Sequence, residues 1–195
     1  MIQSPPILPS VSLAVSSDYQ FCPRCGGRLA LKLLKAGDPK RLVCGECEFV
    51  FFLDPKVAAG TIFAIDGKII LARRAIEPAY GKWVFPGGFV DRGETIEAAA
   101  LRETREEMNV EVELGELINV YSYDDTPVVV LVYAAEVIGG EPVAADECLE
   151  VQGYEPGKIP WNDLAFTSTR DALREYIKRF MCPHPQRRAE RDHEG

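Results

Sequence analysis

Residues 88–110 read Gly-Phe-Val-Asp-Arg-Gly-Glu-Thr-Ile-Glu-Ala-Ala-Ala-Leu-Arg-Glu-Thr-Arg-Glu-Glu-Met-Asn-Val. Nothing between Thr95 and Met108 breaks a helix, and Thr95 can cap its start by accepting a bond from a free N–H of the first turn. At 100° per residue, Ala98, Leu101, Thr104 and Met108 fall on one side, while Glu103, Glu106 and Glu107 gather nearly opposite. The expectation is a helix that packs by the first face and aims three carboxylates away from it. Many acidic helix faces are simply solvated. Like charges three or four residues apart, however, repel by about 0.2–0.5 kcal/mol per pair, so a helix with only a structural task alternates their sign. Hard oxygen ligands clustered in this way suit a divalent cation such as Mg2+ or Mn2+.

The spacing around the helix narrows the reading. Gly88, five residues, Glu94, seven residues and then Arg102-Glu103-Thr104-Arg105-Glu106-Glu107 resembles the Nudix box. Two positions depart from it: Thr104 stands where a bulky aliphatic residue is usual, and Asn109 where glycine closes the motif. Neither removes a carboxylate, and asparagine is the next-best residue for a left-handed helix stop. The resemblance implies an α/β fold, an α/β/α sandwich around a mixed sheet, and a magnesium-dependent hydrolase. It further implies that Glu103, Glu106 and Glu107 hold the catalytic Mg2+ or Mn2+ with a backbone carbonyl of Gly87, and that Glu94 and Arg102 pair to support the loop. In this family the base varies and some members take it from a later loop, where Glu147 and Glu150 are the local candidates. Glu103, Glu106, Arg102, Glu94 and Glu150 are thus the catalytic set expected, with Arg73, Arg74 and Gly88 expected to meet substrate. Strand neighbours alternate sides, so at most one of Arg73 and Arg74 faces the site.

Upstream lies a second pattern. Cys22-Pro-Arg-Cys25 and Cys44-Gly-Glu-Cys47 are separated by 18 residues, the spacing of a closed four-thiolate zinc site. A redox dithiol needs one such pair at a helix start, whereas here two pairs sit among glycines and strand-like runs. The expected Zn2+ is therefore structural, held by Cys22, Cys25, Cys44 and Cys47 in a small zinc-ribbon β domain. The six cysteines thus suit a reducing cytoplasm better than a disulfide scaffold.

These readings divide the chain into a disordered tail over 1–20, the ribbon over 21–55, the catalytic domain over 56–181 and a flexible tail over 182–195. In the third segment, Val57 to Ile65 and Lys68 to Arg73 flank an Asp66-Gly67 hairpin turn. A short strand at Trp83 gives way to a glycine-rich loop. Val112 to Tyr121 and Val128 to Val137 read as strands, and Thr169 to Phe180 as a helix. Glu147 and Glu150 read as part of an acidic loop.

Composition excludes other classes. A net charge of −8 opposes tight binding to long nucleic acid, which needs clustered Lys and Arg. No apolar run approaches the roughly 20 residues that span a bilayer, and the proline-broken start lacks the basic opening of a signal peptide. Both histidines, His184 and His193, lie in the last 14 residues, away from any motif. A small nucleotide substrate is expected, and a homodimer enters from family resemblance alone. Within the family, the ribbon, Asp54-Pro55-Lys56, Arg73-Arg74-Ala75-Ile76-Glu77-Pro78 and Ile159-Pro160-Trp161 resemble ADP-ribose or FAD pyrophosphatases. Zinc-ribbon NADH pyrophosphatases carry SQPWPFPxS after the box, where this chain reads Tyr121-Ser-Tyr-Asp-Asp-Thr-Pro127, so NADH is the alternative. The alternative of another class is a catalytically silent nucleotide sensor, which has no need to keep every box carboxylate.

Overall fold

Cysteine-bearing turns and short strands build the first of two units, which divide between Asp54 and Pro55. The structure, a computed structural model, describes residues 19–145 and 147–182. The expected tails lie outside the described residues apart from Tyr19, Gln20 and Cys182, as do His184 and His193. Strands β1 (Leu29–Lys32), β2 (Arg41–Cys44) and β3 (Val50–Phe51) form an antiparallel sheet in that order. The central strand was not expected. It is short, and only Leu42, Val43 and Cys44 are buried, so its pairing rather than its hydrophobicity defines it.

In the second unit, β4 (Lys56–Ile62) lies between β8 (Gly87–Phe89) and β10 (Val128–Gly140), and β9 (Val110–Ser122) completes a sheet of order β8-β4-β10-β9. β4 and β10 run parallel while the other pairs are antiparallel, which makes the sheet mixed. A second sheet joins β11 (Cys148–Tyr154), β6 (Lys68–Arg74) and β5 (Ala64–Ile65), with β7 (Trp83–Val84) also on β6. The hairpin at Asp66-Gly67 is present, but the expected single strand over Val57 to Ile65 breaks at the fully buried Phe63, so its two parts serve different sheets.

Alternation along β10 separates two helical layers, because successive strand residues point to opposite faces. Val132 and Ala134 join Ala172, Leu173 and Tyr176 of α2 (Thr167–Tyr176) in one core. Tyr133 packs instead beside Ala59, Ala99 and Ala100, the last two from α1 (Ile96–Met108). The α/β/α order expected from the resemblance is thereby realised. α2 begins two residues before the expected helix and continues as a π-helical turn over Ile177–Met181. Among the described residues no helix is long and apolar enough to cross a membrane.

Candidate active site

Thr95 caps α1 by accepting a bond from the Ala98 N–H at 3.2 Å, and Asn109 ends it in the left-handed region at φ 54°, ψ 33°. Both signals work as expected. The face of the helix is as expected only at Thr104 and Met108. Ala99, Ala100, Thr104, Glu107 and Met108 are buried, whereas Ala98 and Leu101 are exposed. Three consecutive alanines carry little directional information. The sheet decides the matter, since Ala99 and Ala100 pack against Ala59 and only small residues allow that approach. Thr104, the unusual box residue, is fully buried and pins the helix to β4: its hydroxyl lies 2.7 Å from that of Thr61 and donates to Ala100 O.

This rotation carries Glu103 and Glu107 toward β8 instead of away from the packed face. Part of the expected glycine loop is itself a strand, with Gly87 opposite Gly60 and Gly88 opposite Ala59. A Cβ at Gly87 would lie 2.6 Å from Ala59 O, so glycine is required by close approach. A Cβ at Gly88 would collide with the Glu103 carboxylate, 2.6 Å from its Oε2. Gly87 N–H donates to Glu107 Oε2 at 3.0 Å. Burial pushes the Glu107 carboxyl up to about 7, against the pull of that N–H, with the neighbouring Glu103 adding to the rise. Burial also raises Glu103, opposed by Arg102.

Arg102 organises the remainder. Its Nε and Nη2 grip both oxygens of Glu94 at 2.9 and 3.0 Å, Nη1 donates to Glu103 at 2.7 Å and to Glu106 at 3.0 Å, and Nη2 reaches Phe89 O at 3.2 Å. Glu94 also accepts the Asp91 N–H. The Arg102 hydrogen bond, ahead of that N–H, holds Glu94 below the usual carboxylate range. The fork ties the β8 segment to the helix.

One cavity of about 950 Å³ contains Glu103, Glu106 and Glu107 together with Gly87, Gly88, Arg102, Arg74 and Glu147. The residues expected at the site divide here. Arg74 lines the cavity, while Arg73 donates to Gly81 O and pairs with Glu150 at 3.6 Å. Glu150 belongs to β11, opposite Arg73 in the register, and does not line the cavity. The expected acidic loop is therefore an edge strand from its second residue onward. Its exposed, weakly alternating side chains hide a strand that exists by pairing with β6. Glu147, just before the strand, is anchored by the bond from Ala75 N–H to its carbonyl and does reach the cavity. Glu94 supports the site from behind Arg102 and is not part of the lining.

The glutamates offer hard oxygen donors, one of them buried and disfavoured as an anion, so a divalent cation fits this donor set. As they stand, Glu103 and Glu106 are turned onto Arg102. Among the described residues only the four cysteines converge tightly, their ligand atoms within 4.8 Å of one another. The Cys25 sulfur lies 3.4 Å from that of Cys44 and 3.3 Å from that of Cys47, and Cys22 and Cys47 are 3.8 Å apart. Tetrahedral Zn–S bonds of about 2.3 Å place sulfurs roughly 3.8 Å apart, close to this cluster. The N–H groups of Arg24 and Glu46 point to Cys22 Sγ and Cys44 Sγ at 3.4 Å. The Cys47 N–H, ahead of burial, which opposes it, and the Glu46 N–H, brings the Cys44 thiol down to about 7. The cluster is consistent with a structural zinc site.

Residues 54–180 match the family described as NUDIX domain, and residues 20–52 match the one described as Nudix N-terminal. The chain belongs to the Nudix family. An ADP-ribose pyrophosphatase of Methanocaldococcus jannaschii is 33% identical over 78% of this chain and 87% of its own length. A Nudix hydrolase from Nitrosomonas europaea has a crystal structure that is 36% identical, covers 84% of this chain and 93% of its own, and superposes with a TM-score of 0.78. The NAD-capped RNA hydrolase NudC of Pseudomonas aeruginosa is 29% identical over 72% of this chain but only 49% of its own length. This Nudix protein is accordingly an enzyme, a pyrophosphatase of nucleotide-linked diphosphates, rather than a silent sensor. The chain, with its N-terminal zinc-ribbon-like cysteine cluster, is related to ADP-ribose pyrophosphatase-type Nudix proteins.

Proposed function

We propose that this Nudix enzyme cleaves the diphosphate of a nucleoside diphosphate joined to a second group, ADP-ribose or FAD, with Mg2+ or Mn2+ as its catalytic metal. The carrying observation is that the box glutamates, Glu147 and Arg74 share one cavity of about 950 Å³, near the upper end of the range for small-molecule sites. Glu103, Glu106 and Glu107 would hold the cation together with the Gly87 carbonyl. When bound, it neutralises diphosphate oxygens and acidifies a water molecule.

Every other contribution comes from the chain. Arg102 and Glu94 are positioning residues, keeping the β8 glycines and the helix carboxylates in register. Arg74, oriented by a bond from its Nε to Pro78 O at 2.9 Å, meets phosphate oxygens. Glu147 takes the proton of the attacking water in place of Glu150, because it reaches the cavity. Tyr123, Asp125 and Thr126 of the β9–β10 turn line the cavity where the group beyond the diphosphate is read. Zinc in the ribbon is structural.

The relative named ADP-ribose pyrophosphatase supports this substrate choice, since the match spans most of both chains. The relatives named NAD-capped RNA hydrolase support a second reading, cleavage of an NAD-type diphosphate. Comparing kcat/KM for ADP-ribose, FAD, NADH and a nucleoside triphosphate with Mg2+ and Mn2+, with products identified, tests the choice. AMP plus ribose 5-phosphate or FMN is expected. A clear preference for NADH or the triphosphate rejects it.

A further inference from the structure

The cavity has a second polar wall, contributed by the start of α2. Thr167, Ser168 and Thr169 line it together with Phe166 and Arg74. Phe166 occupies the N-cap position and gives no side-chain cap bond, and the N–H groups of Thr167, Ser168 and Thr169 have no acceptor among the described residues. An uncapped helix start leaves these donors unsatisfied and carries a partial positive charge.

Two further observations point to a ligand. Thr169 is fully buried, yet its Oγ1 has no hydrogen-bond partner. Arg74 stacks over the Phe166 ring at 5.2 Å and donates through Nε to Pro78 O, which fixes its guanidinium without any salt bridge among the described residues. Arg102, the other cation of the cavity, is by contrast occupied by Glu94, Glu103 and Glu106. Arg74 is therefore the cavity-lining cation that no carboxylate holds in an ion pair among the described residues, and it lies beside the open donors of the α2 start.

We propose that the N-terminal turn of α2 and Arg74 form an oxyanion subsite that holds a phosphoryl group of the substrate independently of the metal. It rests on the reading of the cavity as a diphosphate-cleaving site and adds which groups of the chain grip a phosphoryl group there. Consecutive backbone N–H groups at a helix start match phosphoryl oxygens, and a guanidinium adds a fork of donors. The hydroxyls of Thr167, Ser168 and Thr169 complete the set.

The test titrates inorganic phosphate into the full, zinc-loaded chain with no Mg2+ or Mn2+ added and follows the backbone amide resonances by NMR. Saturable shifts are expected at Thr167, Ser168 and Thr169, and ADP should displace the phosphate. Thr167→Pro removes one N–H at the first helical position, where proline is favoured, and Phe166 at φ −135°, ψ 157° already has the extended backbone that precedes proline. Phosphate binding should weaken about ten- to a hundredfold in this variant, as for loss of a hydrogen bond to a charged group. Thr167→Ala, which keeps the N–H, should weaken it less. Phosphate shifts absent from these three amides, or present but not displaced by ADP, overturn the subsite. Turnover of the substrate panel without these shifts refutes the subsite alone, whereas the shifts without turnover leave it standing and refute the proposed function.

Discussion

Replacing Glu107 by Gln tests whether the buried carboxylate works against the fold in the absence of metal. Its carboxyl is raised from 4.5 to about 7, chiefly by burial. At 1.36 kcal/mol per pKa unit the shift corresponds to about 3 kcal/mol. The direction follows from proton linkage. Between pH 4.5 and 7 the folded protein binds more protons at this group than the unfolded chain does, so metal-free stability falls as pH rises through that window. Below pH 4.5 the group is neutral in both states and contributes nothing. Glutamine removes the titration and still offers an oxygen to the Gly87 N–H. With no Mg2+ or Mn2+ added the variant should therefore equal wild type near pH 4 and exceed it by up to about 3 kcal/mol at pH 8. Both tryptophans, Trp83 and Trp161, lie after Asp54, so urea unfolding followed by tryptophan fluorescence reads the catalytic unit. Turnover with Mg2+ should drop by about 10^2 to 10^4-fold. Equal slopes of stability against pH in the two proteins, or a less stable variant at pH 8, would refute the reasoning.

Three other expectations follow from the geometry. Purified protein should carry about one zinc per chain, because a closed thiolate site binds metal as part of folding; metal analysis finding none, with four reactive thiols, removes that assignment. Glu147→Gln should reduce kcat by at least about 10^2-fold while Glu150→Gln stays within a few-fold, and the reverse order would restore Glu150 as the base. Thr104→Val should cost about 1–3 kcal/mol by leaving the buried Thr61 hydroxyl unpaired, whereas Thr61→Val with Thr104→Val should recover most of that; urea unfolding of the three variants decides it.

Local chemistry carried much of this protein into view. The Thr95 cap, the Asn109 stop and the Asp66-Gly67 turn depend on one or two residues and their own backbone preferences, so they were legible without a partner. The two cysteine pairs and the box glutamates were legible for the same reason, since ligand type and spacing are written along the chain. What depended on distant partners was not. The burial of Glu107 comes with small alanines of α1 packing on Ala59 of β4, a rotation that leaves Leu101 exposed while Thr104 and Met108 stay buried. Strand β11 exists through its pairing with β6, and that pairing is what sends Glu150 to Arg73 and brings Glu147 to the cavity. The bare start of α2 became a candidate site only when folding set it beside Arg74, more than ninety residues earlier in the chain. Sequence spacing thus determined which groups this protein possesses, whereas packing across the sheets decided which of them face one another, because only the fold brings distant side chains within reach.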